Sequence, residues 1–339
     1  MKTKVFILSL THAAVDLACA ALFFGLLQYE NVWLCMVLYN AFAFLMQLPL
    51  GVLADRLDRN LPFAAAGCGL VAAAFALTSC PWLAAVIAGL GNGAFHVGGG
   101  IEILNGSEQK AGPLGIFVSP GAVGLYIGTF YARFLTEHTF IVPLSMLLFC
   151  MLLLWYHRRR PEKLLSNAEF SAALPKGGAL PLAALFLVVV LRSFLGTTDA
   201  FRAGPFPSLP PVLAGLIPVL CLALGKAAGG FVCDAVGPRV TGIASLALCA
   251  LLLLFPASPY ITLAALFLFN MTMPITLYAS ARLLPGAKGT AFGLLTAALF
   301  MGCVPYFMGV RMSAPAFANA LLAILSLGLL LAGLKKERA

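Results

Sequence analysis

Two ionisable side chains four residues apart, His12 and Asp16, stand inside an apolar stretch, Val5 to Leu27, that reads VFILSLTHAAVDLACAALFFGLL. As a helix it is long enough to cross a bilayer, and the spacing puts both groups on one face. At about 1.5 Å per residue from Val5, His12 lies roughly 10 Å deep and Asp16 roughly 16 Å deep. A carboxylate near the bilayer centre costs at least about 2.5 kcal/mol, so it must face protein or a water-filled cavity. An imidazole and a carboxylate at that depth can pass a proton or hold a cation. Other embedded polar groups are Asn92 and His96 in the stretch 82–103, Arg192 and Asp199 in 180–200, and Asn270 in 259–281. His96 stands as far from its end of the membrane as His12, and Arg192 comes to the depth of Asp16 at roughly 18 Å. Asp16, His12 and His96 are therefore candidates for proton coupling. Arg192, Asn92, Asn270 and Asp199 are candidates for substrate binding.

The elements that must position these groups are membrane helices. Of 339 residues, 62% are hydrophobic and 10% charged, with a mean hydropathy of +1.01. Soluble domains carry about 25% charge. Apolar runs predict twelve transmembrane helices, at about 5–27, 32–54, 61–79, 82–103, 112–132, 139–157, 180–200, 209–232, 240–256, 259–281, 289–310 and 314–334. The short turns between them hold no extramembrane domain. Ala18-Cys19-Ala20 resembles a signal-peptidase site, but the apolar run continues to Leu27 and is interrupted upstream by His12 and Asp16, which predicts a retained helix.

The net charge of +9 does not imply a nucleic-acid partner, because the basic residues sort by side. With the N-terminus inside, 17 of the 21 Lys and Arg residues fall in loops of one side, Lys226 counted among them. Three, Arg133, Arg202 and Arg311, fall on the other side, and Arg192 lies within a span. By the positive-inside rule both termini are cytoplasmic. The nine cysteines include no C-x-x-C and indicate neither a disulfide framework nor a cofactor. No nucleophile–base pair suggests an enzyme.

The longest polar segment, His157 to Gly178, contains RRRPEK and divides the chain in two. The expected units are a six-helix bundle at 1–157, a basic cytoplasmic linker at 158–178 and a second six-helix bundle at 179–339. The halves repeat. At an offset of 179 residues, Gly51 falls on Gly230 and Asp55 on Asp234. At 178, Asn92 falls on Asn270, Lys110 on Lys288, Gly115 on Gly293, Gly124 on Gly302 and Arg133 on Arg311. Repeated halves are a transporter signature, with the substrate site near the midplane between them.

After the second and eighth spans come GVLADRLDRN (Gly51 to Asn60) and GKAAGGFVCDAVGPR (Gly225 to Arg239). Both resemble the loop signature of the major facilitator superfamily, G-x-x-x-D-R-x-G-R-[KR]. The first copy has Asp58 for the second Gly and Asn60 for a basic residue; the second has Ala235 for the usual Arg. The resemblance implies an all-α fold of two pseudo-symmetric six-helix bundles. It also implies that Gly51, Asp55, Arg56, Arg59, Gly230, Asp234, Gly237 and Arg239 form a conformational latch. Physically, glycine permits close helix approach and Asp suits a helix N-terminus. THAAVD (Thr11 to Asp16), GLGNGAFHVGGG (Gly89 to Gly100) and VLRSFLG (Val190 to Gly196) resemble the fosmidomycin-resistance branch, drug/proton antiporters of that superfamily. That branch usually has Pro where this chain has Val97.

The expectation is a secondary active transporter in the cytoplasmic (inner) membrane, multi-pass and monomeric, that exports a small organic molecule by alternating access coupled to protons. Asp16 is the expected main proton carrier, and Arg192 the group that holds a substrate anion or discharges Asp16. Two alternatives stand beside it. One is a divalent metal-cation transporter using His12, Asp16 and His96, with Glu102 a further possible ligand. The other is a receptor or assembly factor on the same fold that moves nothing.

Overall fold

The computed structural model describes residues 2–27, 32–107, 109–135, 140–159, 170–202, 206, 209–255 and 258–334. Most of the RRRPEK segment and the last basic residues, Lys335, Lys336 and Arg338, lie outside them. All the long elements are helices, and no strand occurs among the described residues. They are α1 (Lys2–Gly25), α2 (Trp33–Leu57), α3 (Asn60–Leu77), α4 (Pro81–Gly106), α5 (Gly112–Phe130), α6 (Ile141–Arg158), α7 (Ala179–Thr197), α8 (Pro211–Val236), α9 (Pro238–Leu253), α10 (Pro259–Leu283), α11 (Lys288–Phe307) and α12 (Ala316–Gly333). They coincide with the twelve expected spans. Only α9, at 16 residues, is short; it covers about 24 Å.

Local sequence explains where helices begin and end. Pro81, Pro211, Pro238 and Pro259 occupy first-turn positions, where a missing N–H costs nothing. α2 closes on Asp58 in the left-handed region (φ 49°), and α8 closes on Gly237 at φ 88°. These two residues are 179 apart, so the repeat preserves the stop signal while Asp replaces Gly.

Packing repeats with the sequence. α1 lies on α5 as α7 lies on α11; α3 packs on α4 and α6 as α9 packs on α10 and α12. Gly124 meets the backbone of Ala13 on α1, and its repeat mate Gly302 meets Val190 on α7. The bundles join through α2 with α11 and α5 with α8. Glycine makes that approach possible: Gly51 abuts the Gly289 carbonyl, and Gly230 abuts Ala111 and Gly112, so a Cβ at either would overlap backbone. The outer faces are apolar and exposed, with Leu144, Leu148 and Met151 on α6, Ile243 and Leu251 on α9, and Phe317, Leu321 and Ile324 on α12.

Candidate proton and substrate site

The chemistry collects around a break in α5. Pro120 has no N–H to give the Ile116 carbonyl, and its ring displaces the preceding turn, so regular helix stops at Val118 and resumes at Pro120. The side chains of neighbouring helices take up the carbonyls of this turn. Ser9 Oγ of α1 donates to Ile116 O at 3.4 Å. His12 Nδ1 lies 2.6 Å from Phe117 O. From the other bundle, Lys226 Nζ of α8 donates to Val118 O at 3.3 Å.

With its Nδ1 anchored, His12 presents Nε2 to two partners: Asp16 Oδ2 at 3.2 Å and His96 Nε2 at 2.8 Å. His96 is fixed in the same way, its Nδ1 lying 2.8 Å from Asn92 O one turn earlier on α4. The Asn92 amide donates to Asp16 Oδ1 at 2.9 Å. Gly121, just past the break, leaves room for this group; a Cβ there would overlap both His12 and Asp16. The sequence candidates His12, Asp16, Asn92 and His96 thus form one cluster within the first bundle.

Arg192 does not join it. Its side chain is buried on α7, its Nε has no hydrogen-bond partner, and its guanidinium lies over the Phe269 ring of α10 at 5.6 Å. Among the described residues no ion pair links it to Asp16 or to any other acid. Lys226 stands between the two sets, within electrostatic reach of Asp16, His96 and Arg192. Lys226, expected among the loop charges of one side, lies instead ten residues inside the end of α8, about 15 Å along the helix axis from it. The signal was present, since Lys226 falls within the apolar run 209–232. Asn270 is buried beside Gly225 and returns its amide to Leu266 O at 2.8 Å. Asp199 sits apart, exposed in the turn after α7, accepting from Ser313 Oγ at 2.6 Å.

At one end of the molecule, each repeated Asp caps a helix of the opposite bundle. Asp55 accepts from Gly289 N at 2.8 Å and from Thr290 N and Oγ1 at 2.7 and 2.8 Å, at the start of α11. Asp234 accepts from Ala111 N and Gly112 N at 2.7 and 2.9 Å, at the start of α5. Arg56 lies over Phe170 at 5.1 Å, Arg239 donates to Leu334 O, and Arg59 is exposed at the start of α3. Glu102 pairs with Lys4 at 3.1 Å, both buried, away from the imidazoles.

One donor atom each from His12, Asp16 and His96 lies within 4.8 Å of the others, a grouping a divalent ion could use. The fit is poor. Two imidazole nitrogens bound to one tetrahedral ion at about 2.0–2.1 Å stand about 3.3 Å apart. The observed 2.8 Å is instead the length of an N–H···N hydrogen bond. Lys226 also opposes a second cation.

Twelve helices among the described residues, paired in two repeated bundles around a half-buried titratable cluster, are the architecture of a secondary active transporter. The sequence pattern of the Major Facilitator Superfamily matches residues 4–305, and the chain belongs to that superfamily, whose members are transporters and not enzymes. No curated protein matches it. Among solved structures it is similar to a variant of the E. coli fucose:proton symporter FucP, with TM-score 0.66, 12% identity and 98% of each chain covered. FucP in the outward conformation gives 0.65 at 12% identity, covering 98% of this chain and 99% of that one. A bacterial homologue of the iron transporter ferroportin, in an outward-facing state, gives 0.63 at 15% identity, with 98% and 97% covered. At these identities the likeness is one of fold.

Proposed function

We propose that this protein couples proton movement to the export of a small organic molecule bearing an anionic group, across the cytoplasmic membrane, as a monomer with both termini in the cytoplasm. The observation that carries this reading is the division of charge between the bundles. One holds a cluster able to gain and lose a proton. The other holds Arg192, a buried guanidinium with no acidic partner among the described residues, beside Lys226. A buried cation with no counter-charge in the resting protein is stabilised when a ligand supplies one. Export follows the resemblance of the first, fourth and seventh helices to the fosmidomycin-resistance branch. Asp55 and Asp234 act as the latch at the cytoplasmic end.

The test is flux in proteoliposomes of the full-length protein, against a panel of organic anions and divalent metals, with and without an imposed pH gradient. Asp16→Asn should abolish gradient-driven flux and retain exchange. Arg192→Ala should weaken anion binding roughly 10- to 150-fold, as expected for a charged hydrogen-bond partner worth about 1.5–3 kcal/mol. Flux of every panel member that ignores the gradient would remove proton coupling. No flux at all, with Asp16 dispensable, would favour a non-transporting receptor.

A further inference from the structure

The hydrogen-bond pattern around the two imidazoles fixes how many protons they carry. Phe117 O and Asn92 O can only accept, so each Nδ1 facing them must bear a hydrogen. In neutral rings that leaves both Nε2 atoms bare. Two bare nitrogens 2.8 Å apart would set lone pair against lone pair, and His12 Nε2 would also face the Asp16 carboxylate at 3.2 Å. A proton on Asp16 does not relieve this. It could satisfy His12 Nε2 through Oδ2, but the imidazole pair would remain without a hydrogen between them. One proton on His12 Nε2 satisfies every group: it is shared between His96 Nε2 and Asp16 Oδ2, while Asp16 Oδ1 accepts from Asn92.

We infer that the coupling proton is held between His12 Nε2 and His96 Nε2, and that Asp16 stays ionised as its fixed counter-charge. The inference rests on the proton-coupled reading and deepens it. Loading adds one H⁺ to a bare Nε2 and makes an imidazolium; release returns the same H⁺ to water on the other side, with no other bond made or broken. Loaded, imidazolium and carboxylate cancel; unloaded, the cluster carries a net charge of −1. The charged groups facing it are Lys226 on α8 and, beyond Lys226, Arg192 on α7. Cys19 on α1, with Tyr39 of α2 behind it, contacts Asn92 on the far side. Bringing α1 and α4 together at this point therefore makes the site, and separating them by about one ångström would break the N–H···N bond and release the proton.

The experiment is ¹⁵N NMR of full-length protein labelled at its four histidines, His12, His96, His138 and His157, with assignments from single His→Gln variants between pH 5 and 9. The expected result is a pair of Nε2 signals that titrate together for one proton per protein, while both Nδ1 stay protonated throughout. His96→Gln should leave His12 titrating as a single imidazole and lower gradient-driven flux at least tenfold; Asp16→Asn should reduce occupancy of the shared proton rather than relocate it. Carboxyl ¹³C signals showing Asp16 itself taking up the proton, with both Nε2 remaining bare, would overturn the inference and leave proton-coupled transport standing. Micromolar Zn²⁺ or Mn²⁺ shifting both Nε2 signals of the unloaded pair would overturn it in favour of a metal site. Gradient-independent flux in the liposome assay refutes the coupled reading itself, so the two failures are separable.

Discussion

Gly121 is where a single methyl group decides whether the proton cluster can assemble. It lies against His12 Nε2 and Asp16 Oδ2, the ends of flexible side chains rather than backbone, so a Cβ displaces the cluster without breaking the helix. Gly121→Ala should therefore fold and retain its thermal midpoint to within a few degrees, helped by the better helix propensity of Ala, about 1 kcal/mol over Gly. Gradient-driven flux should fall at least tenfold. Wild-type flux in a folded Gly121→Ala would show that the contacts around His12 are not needed for coupling. Depth alone made His12, Asp16, Asn92 and His96 legible in the sequence, because polar groups at mid-membrane are too costly to be incidental. The His12–Asp16 contact was legible from their four-residue spacing, but the contacts of that pair with Asn92 and His96 across α1 and α4 were not. Helical rotation sets which faces meet, and it placed Asp16 among imidazoles rather than against Arg192. Lys226 was legible as a residue within the apolar run 209–232, but counting Lys and Arg by side alone grouped it with the loop charges.

At the scale of the element, the repeat conserves architecture and lets chemistry diverge. Gly51 and Gly230, Asp55 and Asp234, and Asp58 and Gly237 occupy equivalent positions and do equivalent work, two cross-bundle caps and two left-handed or positive-φ stops. The titratable cluster has no such counterpart: His12, Asp16 and His96 fall on Val190, Phe194 and Pro274 at the offset of 178. The spans and the repeat were legible because hydropathy and glycine spacing record packing directly. The break at Pro120 was visible as a residue, but its role depends on which side chains of α1 and α8 reach the carbonyls of its turn. The caps give a prediction of their own. Asp55→Ala removes an acceptor of two backbone N–H groups, a loss of about 0.5–2 kcal/mol, which shifts the population open at that end by roughly 2- to 30-fold. Asp234→Ala should act in the same direction, and because it caps a different helix pair the two should add. Labelling of a reporter cysteine placed at the cap end measures this. Unchanged labelling in the double variant would mean that the caps hold helices and not a conformational state.

For the whole molecule, the same two helix pairs touch at both ends. At one end α2 meets α11 through Asp55, and α8 meets α5 through Asp234. At the other, Tyr126 of α5 donates to Val212 O of α8 at 2.7 Å, and Trp33 of α2 packs on Gly309 just beyond α11. The proton cluster and Lys226 lie along the chain between these two sets of contacts, Lys226 midway along α8 and the cluster beside the break in α5. A transporter that alternates must open one set while keeping the other, so weakening them should push the population in opposite directions. Trp33→Ala with Tyr126→Phe should raise labelling of a reporter at its own end and lower it at the cap end; Asp55→Ala with Asp234→Ala should do the reverse. All four substitutions together should return the balance toward the starting one, since opposing shifts of similar size cancel in free energy. A protein whose bundles merely rest together behaves differently: each pair of substitutions loosens both ends, and the quadruple variant labels fastest everywhere. Labelling rates at the two reporters in wild type, both double variants and the quadruple variant separate these outcomes, and raised labelling at both ends in either double variant would rule out alternating access through these contacts.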